Sequence, residues 1–249
     1  MKAIAAVAKL FSVNPAVRRH GRYQILSFFA VAMGLRVYNH GGPWHLESST
    51  SAAWALFPMD AGRLSDRHFN LFQFARATAH LPGETAECGV FHGAGSHMIL
   101  SAIKHTKKIH HIFDSFEGLS DPGKQDRTKD NVAFAWKAKD LHVAEEDVRK
   151  ALSQFNNVRY HKGWIPSRFS DVAGETFSLV HIDVDLHQPT YDSLAFFYPR
   201  MTGGGIIVLD DYGFDTCPGV RAAVDEYMRG RPDAVIALTS GQGLVVKRA

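Results

Sequence analysis

Cysteine is scarce in this chain: Cys88 and Cys217 are the two among 249 residues. Two thiols far apart build no disulfide framework, and neither has a second cysteine close by, as a zinc site would require. A reducing cytoplasm is the expected compartment. Charge of one sign is also lacking. Against 28 Lys and Arg stand 25 Asp and Glu, and the resulting +3 is too slight to mark a nucleic-acid partner. No long apolar run occurs. Ile25–Leu35, behind Arg18, Arg19 and Arg22, is the longest candidate, and it falls short of the roughly 20 residues that a spanning helix needs. Met1–Lys9 is too short for an export signal. Stable membrane insertion is therefore not expected, and Ile25–Leu35 reads as a buried or subunit-contacting helix. What is present suits a soluble globule: 45% hydrophobic and 21% charged residues, enough for a full core.

Two regions differ in grammar. Residues 1–64 show no regular alternation of elements and carry turn clusters at His40–Pro43 and Phe57–Asp60. They read as an N-terminal helical extension or lid, a place for contact with a second copy. Residues 65–249 form the second region. Ser65 suits a helix cap, and Phe69, Phe72, Ala75 and Ala79 follow at helical spacing until Leu81-Pro-Gly83. Strand-like runs then occur at 85–90, 109–113, 158–161, 177–183, 205–209, 234–238 and 244–246, with helical stretches at 96–106, 145–155, 190–198 and 220–229. Strands spaced by helices predict a mainly parallel α/β sheet of the Rossmann-like kind. Only Thr239–Gly243 separates the last two runs, so they should close the sheet as an antiparallel hairpin. Asp121–Asp140, dense in charge, reads as a long exposed loop or a lid.

The first strand runs into Glu87-Cys-Gly-Val-Phe-His-Gly-Ala-Gly-Ser96. Gly89, Gly93 and Gly95 let the chain turn sharply and let a ligand approach the backbone. Their spacing departs from G-x-G-x-x-G, which disfavours a dinucleotide. The second strand ends in Asp114, an acid placed to accept from both ribose hydroxyls of a nucleoside. Ser115 stands beside it. Together these features favour S-adenosylmethionine over a nicotinamide cofactor, with Glu87, Gly89, Gly93, Asp114 and Ser115 as the candidate cofactor residues. Trp164, after the third strand, is placed either to face an adenine ring or to fill the core.

The most informative cluster is acidic. His181-Ile-Asp-Val-Asp185 closes the fourth strand, and Leu209-Asp-Asp211 closes the fifth. Period two puts Asp183 and Asp185 on one face, with His181 a step deeper. Adjacent parallel strands bring four carboxylates to one edge, where they repel unless paired, protonated or bridged by a cation. All-oxygen ligands select a hard ion, Mg²⁺ first and Mn²⁺ or Ca²⁺ behind it. On this reading Asp210→Asn relieves repulsion in the metal-free protein. The bland alternative is a set of solvated strand-end acids.

Four ordered motifs carry a family likeness. Glu87–Gly93, Phe113-Asp-Ser-Phe-Glu-Gly-Leu119, His181–Leu186 and Val208-Leu-Asp-Asp-Tyr-Gly213 resemble the macrocin O-methyltransferase family over roughly residues 60–230. The resemblance implies methylation of a sugar hydroxyl with S-adenosylmethionine and Mg²⁺. It implies that Glu87, Gly89 and Asp114 line the cofactor site and that Asp183, Asp210 and Asp211 hold the metal, with Asp185 a fourth member. The chain departs from the family at His187, where tyrosine is usual, and over its first 60 residues.

For such chemistry a hydroxyl must be aligned with the methyl carbon and relieved of its proton. Asp185 is the preferred base and His187 the next, with Asp183 counted beside them, and Tyr212 shapes the acceptor pocket. The acceptor is a small molecule. Two other classes compete: a non-catalytic nucleoside or nucleotide-sugar binding module, and a dehydrogenase.

Overall fold

The computed structural model describes residues 2–33, 66–127 and 136–249. The chain separates into two compact units, Met1–Ser51 and Ala52–Ala249. The expected boundary at residue 64, the two early turn clusters, the Ser65 cap and part of the Asp121–Asp140 loop lie outside the described residues.

In the first unit, α1 (Lys2–Lys9) and α2 (Pro15–Ala32) form a hairpin. Arg18 closes its turn by donating to the carbonyls of Ser12 and Val13, at 2.7 and 3.0 Å. Gly21 allows the close crossing, since a Cβ there would lie 2.8 Å from that of Lys9. Leu26, Phe28 and Phe29 are all more than half exposed while Ala30 is buried, and residues 34 and 35 of the expected buried or subunit-contacting helix lie outside the described residues. No helix among the described residues is long and apolar enough to cross a membrane.

The second unit begins with α3 (Asp66–Thr78). There follow β1 (Glu84–Cys88), α4 (Ala94–Ile103), β2 (His110–Asp114), α5 (Glu145–Ala151), β3 (Val158–Lys162), β4 (Phe177–Ile182) and α6 (His187–Phe197). The last elements are β5 (Met201–Leu209), α7 (Pro218–Met228), β6 (Val235–Ala237) and β7 (Gly243–Val246). One seven-stranded sheet runs in the order β3-β2-β1-β4-β5-β7-β6. The first five strands are parallel, while β7 pairs antiparallel with both β5 and β6. This is the expected Rossmann-like α/β fold with its closing hairpin.

Period-two alternation builds the two cores. Ile207 and Leu209 of β5 join Val180 and Ile182 of β4 against Leu194, Phe197, Val220 and Val224 of α6 and α7. Ile206 and Val208, with Leu179, face Leu71, Ala75, Ile99 and Leu100 of α3 and α4 on the opposite side. A strand buried on both faces is the signature of a parallel sheet with helices above and below. Strand order reverses around β1, whose neighbours are β2 and β4. In open sheets of this kind the crevice at such a reversal, outside the strand carboxyl ends, is where ligands bind.

Candidate functional site

That crevice opens into a cavity of ≈ 690 Å³, and residues following β1, β2, β4 and β5 all line it. Gly89 sits at its floor with φ +78°, and a Cβ there would meet the Asp183 carbonyl oxygen at 1.8 Å. No side chain fits at that point, so the turn after β1 must pass close to the end of β4. Gly93, at φ +88°, opens α4. Asp114 ties the loops after β1 and β2 together: its carboxylate accepts from the backbone N–H of Val90 at 2.8 Å and of Phe116 at 2.7 Å. Burial raises its carboxyl above the ordinary range, and those two backbone bonds oppose the shift. Ser115 is buried and receives the Glu117 N–H at 3.0 Å. Trp164 lines the cavity and is 42% exposed, which places it outside the core.

Glu87 is placed differently. It lies in the cavity wall, 1% exposed, with its oxygens turned inward. One accepts from His181 Nδ1 at 2.7 Å and the other from the Ser96 hydroxyl. His181 Nε2 reaches Asp210 Oδ1 at 3.3 Å, so a buried Glu87–His181–Asp210 relay joins β1, β4 and the tip of β5. Burial alone would raise Glu87, but His110 and His181 hold it down to about 2. Burial would likewise lower His181, yet Asp210 and Glu87 raise it well above the usual imidazole range.

The four strand-end acids come together as expected, though not as equals. Ligand atoms of His181, Asp183 and Asp210 lie within 4.8 Å of one another, and so do those of Asp185, Asp211 and Cys217. The single face expected for Asp183 and Asp185 is therefore split. β4 ends at Ile182, so strand periodicity does not extend to these residues, and Asp185 adopts a left-handed φ of +58°. Asp183 is raised well above the carboxylate range by burial and by Asp210 and Asp211. Burial and the Asp211 charge push Asp185 up to about 8, and burial with Asp210 pushes Asp211 up to about 6. Asp210 is the exception. Burial opposes its charge, but His181, Arg67 and Gln242 hold it below the ordinary range.

A hard divalent cation fits this set. Oδ2 of Asp211 is buried with no hydrogen-bond partner, an arrangement that costs stability unless a ligand answers it. Three carboxyl groups there are held at raised pKa by burial and, after it, by mutual repulsion, and a bound cation would relieve the second. Asp183, Asp185, Asp210 and Asp211 would supply the oxygen donors, and all four line the cavity.

Residues 63–234 match the family model described as Macrocin-O-methyltransferase (TylF). The chain belongs to that family. It is 30% identical over 157 residues to the demethyldecarbamoylnovobiocin O-methyltransferase of Streptomyces niveus, and the match spans 59% of this chain and 59% of that relative's own length. With the mycinamicin III 3''-O-methyltransferase of Micromonospora griseorubida it shares 28% identity over 181 residues, 68% of this chain and 70% of the relative. The solved structure of the O-methyltransferase NovP superposes with a TM-score of 0.60 at 28% identity, covering 74% of this chain and 80% of that one.

His187, where the family usually has tyrosine, is the base expected after Asp185. The structure does not bring it to the acids. Its backbone N–H is held by Asp126 at 2.7 Å and its Nε2 faces Glu226 at 3.4 Å, beside a smaller neighbouring cavity. The helix that begins at His187 turns the side chain toward α7 instead. Tyr212 is also directed elsewhere, donating to Asp225 at 2.8 Å.

Two residues of α3 reach the site unannounced by the sequence reading. Arg67 forms an ion pair with Asp210 and lies 3.5 Å from Asp211, and His68 lines the same cavity. Burial lowers His68 to about 4, so it is a neutral imidazole at physiological pH. The one local signal was their position in the first turn of the α3 helix.

Proposed function

We propose that the protein is an S-adenosylmethionine-dependent O-methyltransferase that acts on a sugar hydroxyl of a small glycosylated natural product, with a hard divalent cation, Mg²⁺ first, at the strand-end acids. One observation carries the reading: the cofactor-side groups Gly89 and Asp114 and the acids of β4 and β5 open onto one shared cavity. The acceptor class rests on the relatives, which are named for demethyldecarbamoylnovobiocin, for mycinamicin III and for a rhamnosyl-tetracenomycin C. Free thiols at both Cys88 and Cys217 suit work in the reducing cytoplasm. The exposed apolar residues of α1 and α2 suit contact with a second copy.

S-adenosylmethionine would supply an electrophilic methyl group on a sulfonium. The cation, held by Asp183, Asp185, Asp210 and Asp211, would lower the pKa of an acceptor hydroxyl. The chain's own residues do the rest. Asp114 accepts from the ribose hydroxyls while its backbone bonds keep the loop in place. Gly89 leaves the floor open for close approach of the amino-acid tail. Asp185, which lines the cavity and is hydrogen-bonded by the Cys217 thiol at 3.6 Å, takes the acceptor's proton. Trp136 and Phe214 wall the cavity and restrict water around the transfer.

The test pairs calorimetry with turnover. S-adenosylmethionine should bind with or without EDTA, because its contacts come from β1 and β2. Methyl transfer to a panel of deoxysugar glycosides should stop in EDTA and return with Mg²⁺. Cofactor binding without transfer to any hydroxyl would instead assign a binding module, and metal-independent NAD⁺ binding would assign a dehydrogenase.

A further inference from the structure

We infer that Arg67 is a built-in counter-cation for the acid cluster, one that competes with the divalent ion and must withdraw when that ion binds. The inference rests on the reading that the four acids hold such an ion. Its basis is how Asp210 is occupied. Oδ1 already accepts from Gln242 Nε2 at 2.8 Å and faces His181 Nε2 at 3.3 Å, while Oδ2 is taken by the Arg67 guanidinium. Both lone-pair directions of Oδ1 therefore meet a donor, and the donor on Oδ2 is Arg67. A divalent charge placed among Asp183, Asp210 and Asp211 would also stand beside a guanidinium that cannot shed its proton.

The surroundings allow the side chain to leave without moving its helix. The backbone at Arg67 is tied separately to the turn before β7: its carbonyl accepts from Gln242 Nε2 at 3.4 Å, and Asn70 Nδ2 donates to Gln242 Oε1 at 2.9 Å. A landing place is at hand, for the guanidinium already lies 5.0 Å from the ring centroid of Phe214 on the cavity wall. The side chain is 31% exposed, so withdrawal does not require passage through the core. In this arrangement Arg67 keeps the acids assembled before the ion arrives and sets a threshold concentration below which the site stays closed to it.

The sign of one substitution separates a competitor from an organiser. Mn²⁺ affinity is measured by calorimetry on the full-length protein without cofactor, for wild type, Arg67→Met and Arg67→Lys. A competitor predicts at least tenfold tighter Mn²⁺ binding by Arg67→Met, with Arg67→Lys near wild type. Equal or weaker binding by Arg67→Met would overturn the inference alone, since it would make Arg67 a support for Asp210. No Mn²⁺ binding by wild type or either variant would overturn the cation reading and this inference together. Should Arg67→Met fail to fold, the wild-type protein answers through phenylglyoxal labelling of Arg67, read by peptide mass. Labelling should quicken when Mn²⁺ is added, and an unchanged or slower rate would overturn the withdrawal.

Discussion

Asp114 and Asp211 are both aspartates at the tips of parallel strands in the same cavity, and their surroundings are opposite. Asp114 has two backbone N–H groups supplied by the loops around it. Asp211 has an oxygen with nothing to accept from, and it stands among three other acids. Burial raises both carboxyls, but around Asp114 the chain supplies the compensating backbone donors, while Asp211 keeps one buried oxygen that no donor reaches. The contrast separates a half of the cavity that is built to hold still from a half that is built to be completed.

The largest expected effect breaks the self-contained half. Glu87→Gln removes the carboxylate that answers buried His181, and such losses cost about 3–5 kcal/mol. A drop in thermal midpoint of many degrees should follow, with weakened cofactor binding as a consequence. The pH dependence has a definite sign. Because Glu87 is held at about 2 against an ordinary 4.5, its contribution is complete above pH 4.5 and is lost as pH falls toward 2. The variant should therefore show a flatter acid limb in a plot of stability against pH.

Next comes the incomplete half. Asp211→Asn should raise stability in EDTA by about 1–2 kcal/mol, since a neutral amide relieves repulsion. Saturating Mg²⁺ should reverse the order, because only the native cluster gains by binding the ion. The choice of residue matters. Asp210→Asn was the expected relief of repulsion, but Asp210 is paired with His181, Arg67 and Gln242, so that substitution should destabilise instead. With folded values of about 6 for Asp211 and about 8 for Asp185, raised above their ordinary value, the metal-free protein should lose stability as pH rises from 4 through 8. Thermal melts in EDTA across that range would show it, and a flat profile would contradict it.

A smaller effect is expected at Asp114. Asp114→Ala should weaken S-adenosylmethionine by about 1–3 kcal/mol, the loss of hydrogen bonds to a charged acceptor. Unchanged affinity in a folded variant would remove it from the cofactor side. The smallest belongs to His187→Ala. Its partner Glu226 has a side chain 57% exposed, and such pairs contribute no more than about 1 kcal/mol. Turnover within about twofold of wild type is expected, and a collapse in rate would return this histidine to the acids.

Much of this arrangement could be read from the residues. The seven strands, the closing hairpin and the meeting of Asp183, Asp185, Asp210 and Asp211 follow from apolar alternation and the geometry of adjacent parallel strands. What escaped has a common cause. Arg67 meets Asp210 across 143 positions, and no local pattern signals such a pairing. Asp183 and Asp185 separate because the strand stops at Ile182, and a rule about strand faces says nothing past the last ladder bond. β5 begins at Met201, earlier than the expected Gly205, because its register with β4 jumps from Phe177–Met201 to Leu179–Ile206, and Gly203, Gly204 and Gly205 fall in the irregularity between.

β7 lies between β5 and β6 although it follows both in the chain. During synthesis, all four acids and Arg67 therefore emerge before the strand that covers the β5 edge and before Gln242, the neutral partner of Asp210. A nascent chain short of Val246 carries an open hydrophobic edge and an under-satisfied cluster of acids at the same time, the kind of surface that recruits chaperones. Closure of the sheet and completion of the site are then one event, so an unfinished chain is denied the chemistry as well as the fold.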